Sequence, residues 1–506
     1  MRIYWLVVAV VLCLASSCTA PNKPNPSQPS GEALAQTYCA TCHAFPEPDL
    51  LDRPRWNTVL PFMGGRLGIY TTHSRDSLIA LTAQNGVDAD SLYPTTPVLA
   101  LEEWESIVAY YRLEAPDTLA VQPRPSLTVG LPGFEIRTPP NRFRPPLTTL
   151  AQIQDDLSLF LVGNHAQTNT LIVIKGVDEL LFTWELTGAP IATHWDEGRL
   201  FILQIGQSMA PTDIADGSLQ VVEGPDAPVR PLITGLKRPV DMNFGDLNGD
   251  GRQDIVICEF GNQTGFLSWY EATGNGTYVR HVLSNQPGAA NAEIVDLNGD
   301  GLLDIGALMG QGDEGIDFYI NDGEGRFTAR RVLRFPPVYG SNHVEFVDFN
   351  GDGLLDILYA NGDNGDITPI PKHYHGVRIF LGSPDGSFEE RFFFPMHGAV
   401  SAKAADFDQD GDLDIAAISY FPDYAHTPEE SFVLLQNSGD LTFDAYTFEN
   451  SYRGRWLRMD VGDIDGDQDP DILLGSNISF APQGNQDDLF KKWLQEAPSV
   501  LILENK

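Results

Sequence analysis

Cys39-Ala40-Thr41-Cys42-His43 is the segment of this chain whose residue types and spacing carry the most chemistry. Two thiols three positions apart, followed at once by an imidazole, fall on one helical turn. That is the pattern of covalent haem c attachment: Cys39 and Cys42 reach the two porphyrin vinyl groups as thioethers, and His43 ligates the iron. A redox C-x-x-C pair or half of a zinc site would use the same residues. No second Cys/His pair lies nearby, however, and no βαβ context surrounds the motif. Of the five cysteines in 506 residues, Cys13 and Cys18 belong to an apolar leader, which leaves Cys39, Cys42 and Cys258 and no disulfide framework. Cys258 lies in an apolar strand and reads as an inert core thiol.

A second pattern, nine residues long, recurs five times. Its copies are Asp246, Asn248, Asp250 and Asp254; Asp296, Asn298, Asp300 and Asp304; Asp348, Asn350, Asp352 and Asp356; Asp406, Asp408, Asp410 and Asp414; and Asp463, Asp465, Asp467 and Asp471. Oxygen ligands at positions 1, 3, 5 and 9 suit a hard cation, the carbonyl of position 7 can add another, and Gly at position 6 permits the turn. These loops are expected to hold up to five structural Ca2+ ions. In the last copy Gln468 replaces that glycine, which predicts strain or weaker binding. An EF-hand would need a glutamate at position 12 and an exiting helix. Each copy here runs instead into an apolar strand, such as Ile255-Val256-Ile257 or Ile357-Leu358-Tyr359.

The elements that must position these groups follow from periodicity. Glu32 to Tyr38 reads as a helix delivering the cysteine motif, and Leu101, Trp104, Ile107, Val108 and Tyr111 trace one face of a second helix that Pro116 stops. Two helices bracketing a haem motif resemble the small class I cytochrome c fold, over residues 31–115. The resemblance implies one covalent haem c and a sixth iron ligand. Met63, beside Gly64 and Gly65, is the leading candidate on a loop expected to close over the open haem face, with His73 as its rival. Packing in the core is the other use of Met63. Its place soon after His43 departs from the commoner late methionine of class I cytochromes.

Eight prolines between 116 and 146 predict a linker over 116–147. Beyond it the first aspartates of the acidic loops are spaced by 50, 52, 58 and 57 residues, a period that fits one propeller blade of four short strands. Residues 148–506 accommodate seven blades, the first two without the loop. The loops, with blade endings such as 318–327, resemble FG-GAP or VCBS repeats, and by that likeness the calcium is structural. The expected fold class is thus multidomain: a small all-α cytochrome c domain followed by an all-β, seven-bladed propeller.

Alternation just before each loop predicts an innermost strand with one packed and one wet face. On the wet face lie Glu293, His343, Glu345, Lys403 and Arg458, which form either a small-ligand or metal site in the central channel or a hydrated pore with compensating charges. Lys372-His373-Tyr374-His375 is a further polar cluster, expected to be solvated on a long loop.

Residues 1–18 read as an export signal, and Leu14-Ala15-Ser16-Ser17-Cys18 resembles a lipobox, with Ala15 where Leu is usual. Lipidation of Cys18 competes with plain secretion. Residues 19–30, rich in Pro and Ser, read as a tether. A lipoprotein in the periplasm or on the cell surface follows, touching membrane by its anchor only. A net charge of −37 argues against nucleic acid as a partner. The motifs present favour an electron carrier and binding protein over a stand-alone enzyme: the haem serves redox partner proteins, and the propeller docks a partner, polymer or small molecule. The alternatives are a propeller oxidoreductase that passes electrons from a substrate to the haem, similar to some quinoprotein dehydrogenases, and a surface adhesion or glycan-binding lipoprotein. No catalytic residue is assigned.

Overall fold

The computed structural model describes residues 29–506 except 84, 85, 88, 123, 141, 142, 167, 225, 226, 366, 367, 483 and 485. Cys18, the signal and nearly all of the tether lie outside the described residues.

Among the described residues, four helices, α1 (Gly31–Cys39), α2 (Arg53–Arg66), α3 (Arg75–Ala83) and α4 (Leu101–Glu114), precede the propeller. Ser30 caps α1 by accepting from the Ala33 N–H at 3.1 Å, and Asp52 caps α2 by accepting from Arg55 N–H at 3.0 Å. The two helices predicted from periodicity, α1 and α4, pack on each other through Leu34, Ala35, Trp104, Ile107 and Tyr111. Their crossing needs Gly31, because a Cβ there would stand 2.3 Å from the Ser106 carbonyl oxygen. Trp56 Nε1 donates to the Pro48 carbonyl and Tyr111 Oη to that of Pro46, each at 2.8 Å, which ties the segment after His43 to the helical core.

One expectation is corrected here. Met63, Gly64 and Gly65 lie on α2 and not in a loop. The glycines serve close packing: a Cβ on Gly64 would approach Trp104 Cζ2 to 2.9 Å, and one on Gly65 would approach Leu78 Cδ1 to 2.6 Å. Burial against these partners outweighs the low helix propensity of glycine.

Seven antiparallel sheets follow as the blades of a β-propeller. Blades 1 to 7 span 148–186, 190–236, 239–284, 289–334, 341–395, 399–447 and 456–504. The second strand of each acidic-loop blade, for example Asp254–Glu259 or Asp356–Asn361, is buried along its whole length.

The proline-rich segment is more than a linker. Glu135–Arg137 pairs antiparallel with Val500–Glu504 and becomes the outer strand of blade 7, closing the ring with residues from before blade 1. Thr128–Val129 adds a fifth, parallel strand to blade 6. Prolines exclude central strands but not short edge strands, and pieces of two or three residues leave no periodic signal. A fifth helix, α5 (Asp487–Glu496), buries Trp493 beside blade 7.

The acidic loops follow each innermost strand, so they gather at one end of the propeller. The helical region meets the other end: Arg66 bonds Gln263, Tyr374 Oη donates to the Leu50 carbonyl at 3.0 Å, and Val338 packs against the helical core.

Candidate functional site

Cys39 is the last residue of α1 and Cys42 lies exposed just beyond it, both as free thiols. Burial pushes the Cys39 thiol up to about 11, the Tyr111 hydrogen bond pulling the other way, so it stays protonated near neutral pH. His43 is half-buried, with Nδ1 2.8 Å from the Ala44 carbonyl oxygen. That bond leaves Nε2 as the free ligand atom, the usual division of labour in a metal-binding imidazole. The Met63 side chain is 38% exposed, which speaks against a core role, and His73 packs its ring on Phe62 at 5.0 Å. Cys39, Cys42 and His43, with Nε2 of the imidazole left available, are a donor set that fits a covalent haem.

The acidic loops share one construction. In the first, the Asp246 carboxylate accepts from the N–H groups of Asp250 at 3.0 Å and Gly251 at 2.8 Å, while Asn248 Oδ1 accepts from Asp250 at 3.1 Å. The ninth aspartate of every copy is fully buried and bridges two elements. Asp356 accepts from Phe349 N–H at 2.9 Å inside the loop and from Gly382 N–H at 2.8 Å at the end of the third strand. Asp254, Asp304, Asp414 and Asp471 make the equivalent pair of bonds. Carboxylate oxygens of Asp406, Asp408 and Asp414, and of Asp463, Asp465 and Asp471, come within 4.8 Å of one another, close enough to share a cation. The first three loops carry Asn at position 3 and so present one carboxylate fewer.

Position 6 is left-handed throughout, with φ from +81° to +99° at Gly251, Gly301, Gly353 and Gly411, and Gln468 adopts +76°. A side chain in that region costs about 1–2 kcal/mol, partly offset by its lower freedom when unfolded. Gln468→Gly is therefore expected to raise stability by about 0.5–1 kcal/mol, read from the denaturant midpoint. An unchanged or lower midpoint would show that the strain is relieved some other way. Position 4 is left-handed too, including Gln409 at +59°, a requirement the sequence reading missed.

The five channel residues do converge. Glu345, Glu293, Asp460 and Asp241 surround Lys403, and Lys403 and Arg458 both act on His343. One oxygen of each carboxylate and Nε of Arg458 are committed to backbone, stapling neighbouring blades, whereas His343 Nδ1 is buried without a hydrogen-bond partner. Asp241 accepts from Ala292 N–H at 3.0 Å, Glu293 from Phe346 at 3.2 Å, Glu345 from Ala404 at 3.1 Å, and Asp460 from Ile153 at 2.8 Å. Arg458 Nε donates to the Thr149 carbonyl at 2.8 Å. Gln152 continues the scheme by bonding both the N–H and the carbonyl of Thr193, at 3.1 and 3.0 Å. Blade 1 has no acidic loop to align on, so Gln152 left no signal in the sequence.

Burial and then the Glu345 charge raise Glu293 to about 7, and burial and then Lys403 lower His343 to about 3. A carboxyl raised in the folded state lends stability that is complete below its unfolded value. That stability fades as pH rises through about 7. Glu293→Gln, which keeps an acceptor for Phe346, is thus expected to flatten the fall in melting temperature between pH 5 and pH 8, on the order of the Glu titration range. Parallel melting profiles for the two proteins would refute this.

Comparison with known proteins bears on the propeller. Residues 246–307 and 296–359 match the family model described as the FG-GAP-like repeat. The propeller carries FG-GAP repeats. Cartilage acidic protein 1 of Homo sapiens is 25% identical over 280 residues, covering 50% of this chain and 40% of that protein. Its Mus musculus counterpart is 25% identical over 279 residues, covering 50% and 41%. The chain therefore spans about two fifths of the length of these curated relatives. Among solved structures, the N-terminal domain of Nup159 is 13% identical, covering 75% of this chain and 98% of that one with a TM-score of 0.42.

Proposed function

We propose that this protein is an exported electron carrier in which a haem c held on the helical region is joined to a calcium-stabilised propeller that docks a partner or ligand. The supporting observation is Cys39-Ala40-Thr41-Cys42-His43 at the end of α1, with His43 Nδ1 satisfied by Ala44 and Nε2 left free. When bound, the haem supplies one-electron redox chemistry at its iron. Cys39 and Cys42 would hold it, His43, oriented by its bond to the Ala44 carbonyl, would ligate the iron, and Met63, or else His73, would supply a further ligand. Asp and Asn oxygens of the five loops would hold calcium at the far end of the propeller, where it would pin the turns. Cys18 would carry the lipid that tethers the chain at the membrane surface.

The deciding experiment is expression in a host competent in haem c maturation, followed by a redox-titrated visible spectrum. A covalent haem with a reversible spectral change is expected. Colourless protein with both thiols open to alkylation would overturn the reading. Loss of the weak far-red band in Met63→Ala, with the haem retained, would assign the sixth ligand; a wild-type spectrum that lacks the band altogether, since it marks a thioether on the iron, would pass the role to His73.

A further inference from the structure

The connection between Asp356–Asn361 and Gly376–Gly382 of blade 5 lies at the propeller end that faces the helical region. Lys372-His373-Tyr374-His375 in this connection is not solvated, contrary to the sequence expectation: Lys372 and His375 are each 1% exposed and Tyr374 is 4% exposed. The cause is Tyr374. It stacks on Tyr339 at 4.9 Å and donates to the Leu50 carbonyl, which draws the loop beneath the helices.

His375 and His397 are set side by side by the strand ladder. Gly376 pairs with Pro395, and just beyond this pair the His375 carbonyl accepts from Met396 N–H at 3.1 Å. Four ring nitrogens buried here have no hydrogen-bond partner: both of His375, Nδ1 of His373 and Nδ1 of His397. Each orphaned buried group forfeits about 1–3 kcal/mol, so four of them on neighbouring side chains favour a partner that the protein's own polar groups do not supply. Burial, reinforced by Lys372, keeps His375 neutral, and burial followed by Arg124 lowers His397 to about 4. The neighbouring arginines are already matched, Arg124 by Glu430 and Arg378 by Glu390.

We infer that His373, His375 and His397 form a site for one divalent transition-metal ion of the Zn2+ or Cu2+ class, between the propeller and the helical region. Neutral imidazole lone pairs suit such borderline metals, whereas Ca2+ takes oxygen ligands. Among the described residues, only the two aspartate sets named above bring three ligand atoms within 4.8 Å, so metal capture here requires the imidazoles to rotate inward. Asp423, which faces His397 and bonds His426 Nδ1 at 2.8 Å, is close enough to balance the added charge.

The site does not depend on haem, and its test keeps the two apart. Full-chain protein in excess Ca2+ is loaded with Cu2+, gel-filtered and studied by electron paramagnetic resonance. This is done with and without the Cys39→Ser/Cys42→Ser change. One retained Cu2+ showing coupling to at least two nitrogens is expected in both proteins. His375→Gln with His397→Gln is expected to weaken retention at least tenfold, the binding of a second divalent ion such as Zn2+ falling in parallel. Retention unchanged in that variant, or a wild-type spectrum with fewer than two nitrogens, overturns the inference even if the variant itself folds poorly.

Discussion

Replacement of Cys39 and Cys42 by alanine is expected to abolish covalent haem entirely, leaving no haem-staining band after denaturing electrophoresis. His43→Ala is expected to keep some covalently attached porphyrin but lose the six-coordinate spectrum. The two outcomes differ because the thiols make the bonds that survive denaturation, whereas the imidazole contributes only to the iron. Neither change is expected to unfold the propeller. Cys42 is exposed, and Cys39 sits at the edge of the helical core of Leu34, Ala35, Trp104 and Tyr111, which meets the propeller through Val338 and is separate from the clusters inside the blades. A propeller melting transition that shifts with haem loss would show the two parts to be energetically coupled through the Tyr374–Leu50 contact. Haem that stays bound to the double alanine variant after denaturation would remove the thioether assignment.

The second large effect concerns the acidic loops, where metal and hydrogen bonds can be separated. Asp356→Ala leaves the buried N–H groups of Phe349 and Gly382 without an acceptor, a cost of about 2–5 kcal/mol for two such donors. That loss is expected in chelator as well as in calcium, read from urea unfolding of the propeller. Chelation of wild-type protein should lower the melting temperature by several degrees, with recovery on adding Ca2+ but not Mg2+, since a ligand at a hundred times its dissociation constant contributes about 2.7 kcal/mol. Asp348→Ala removes a first-position oxygen and should blunt the response to chelator. If wild-type melting is the same in chelator and in calcium, the loops are hydrogen-bonded turns, and the Asp356→Ala loss stands by itself.

Much of the architecture was legible because it is periodic. Five equally built loops with a spacing of 50–58 residues set the blade length, and the blade length set the number of blades. The channel alternation was legible for the same reason: a strand's period of two is local, so Glu293, His343, Glu345, Lys403 and Arg458 could be placed on one face without knowing the fold. What those side chains do once there was not legible. Their bonds run to backbone groups of the next blade, about fifty positions away, and no local pattern encodes that partner.

Composition misled where packing decides. Glycines beside Met63 read as a flexible loop, yet each is the contact point that lets α2 approach Trp104 or Leu78. Prolines between 116 and 146 read as a spacer, yet Glu135–Arg137 closes the ring. A charged, histidine-rich stretch read as solvated, yet one tyrosine hydroxyl on a distant carbonyl buries it.

The sequence by itself determined the loop repeat and the blade count, because each is written in spacings of a few residues or in one regular period. Tertiary structure alone decided how the ring is closed, which channel atoms are already spent on backbone, and that His375 and His397 lie together. Those facts depend on contacts between segments far apart in the chain, where burial and hydrogen-bond satisfaction outweigh the local preferences that a sequence displays.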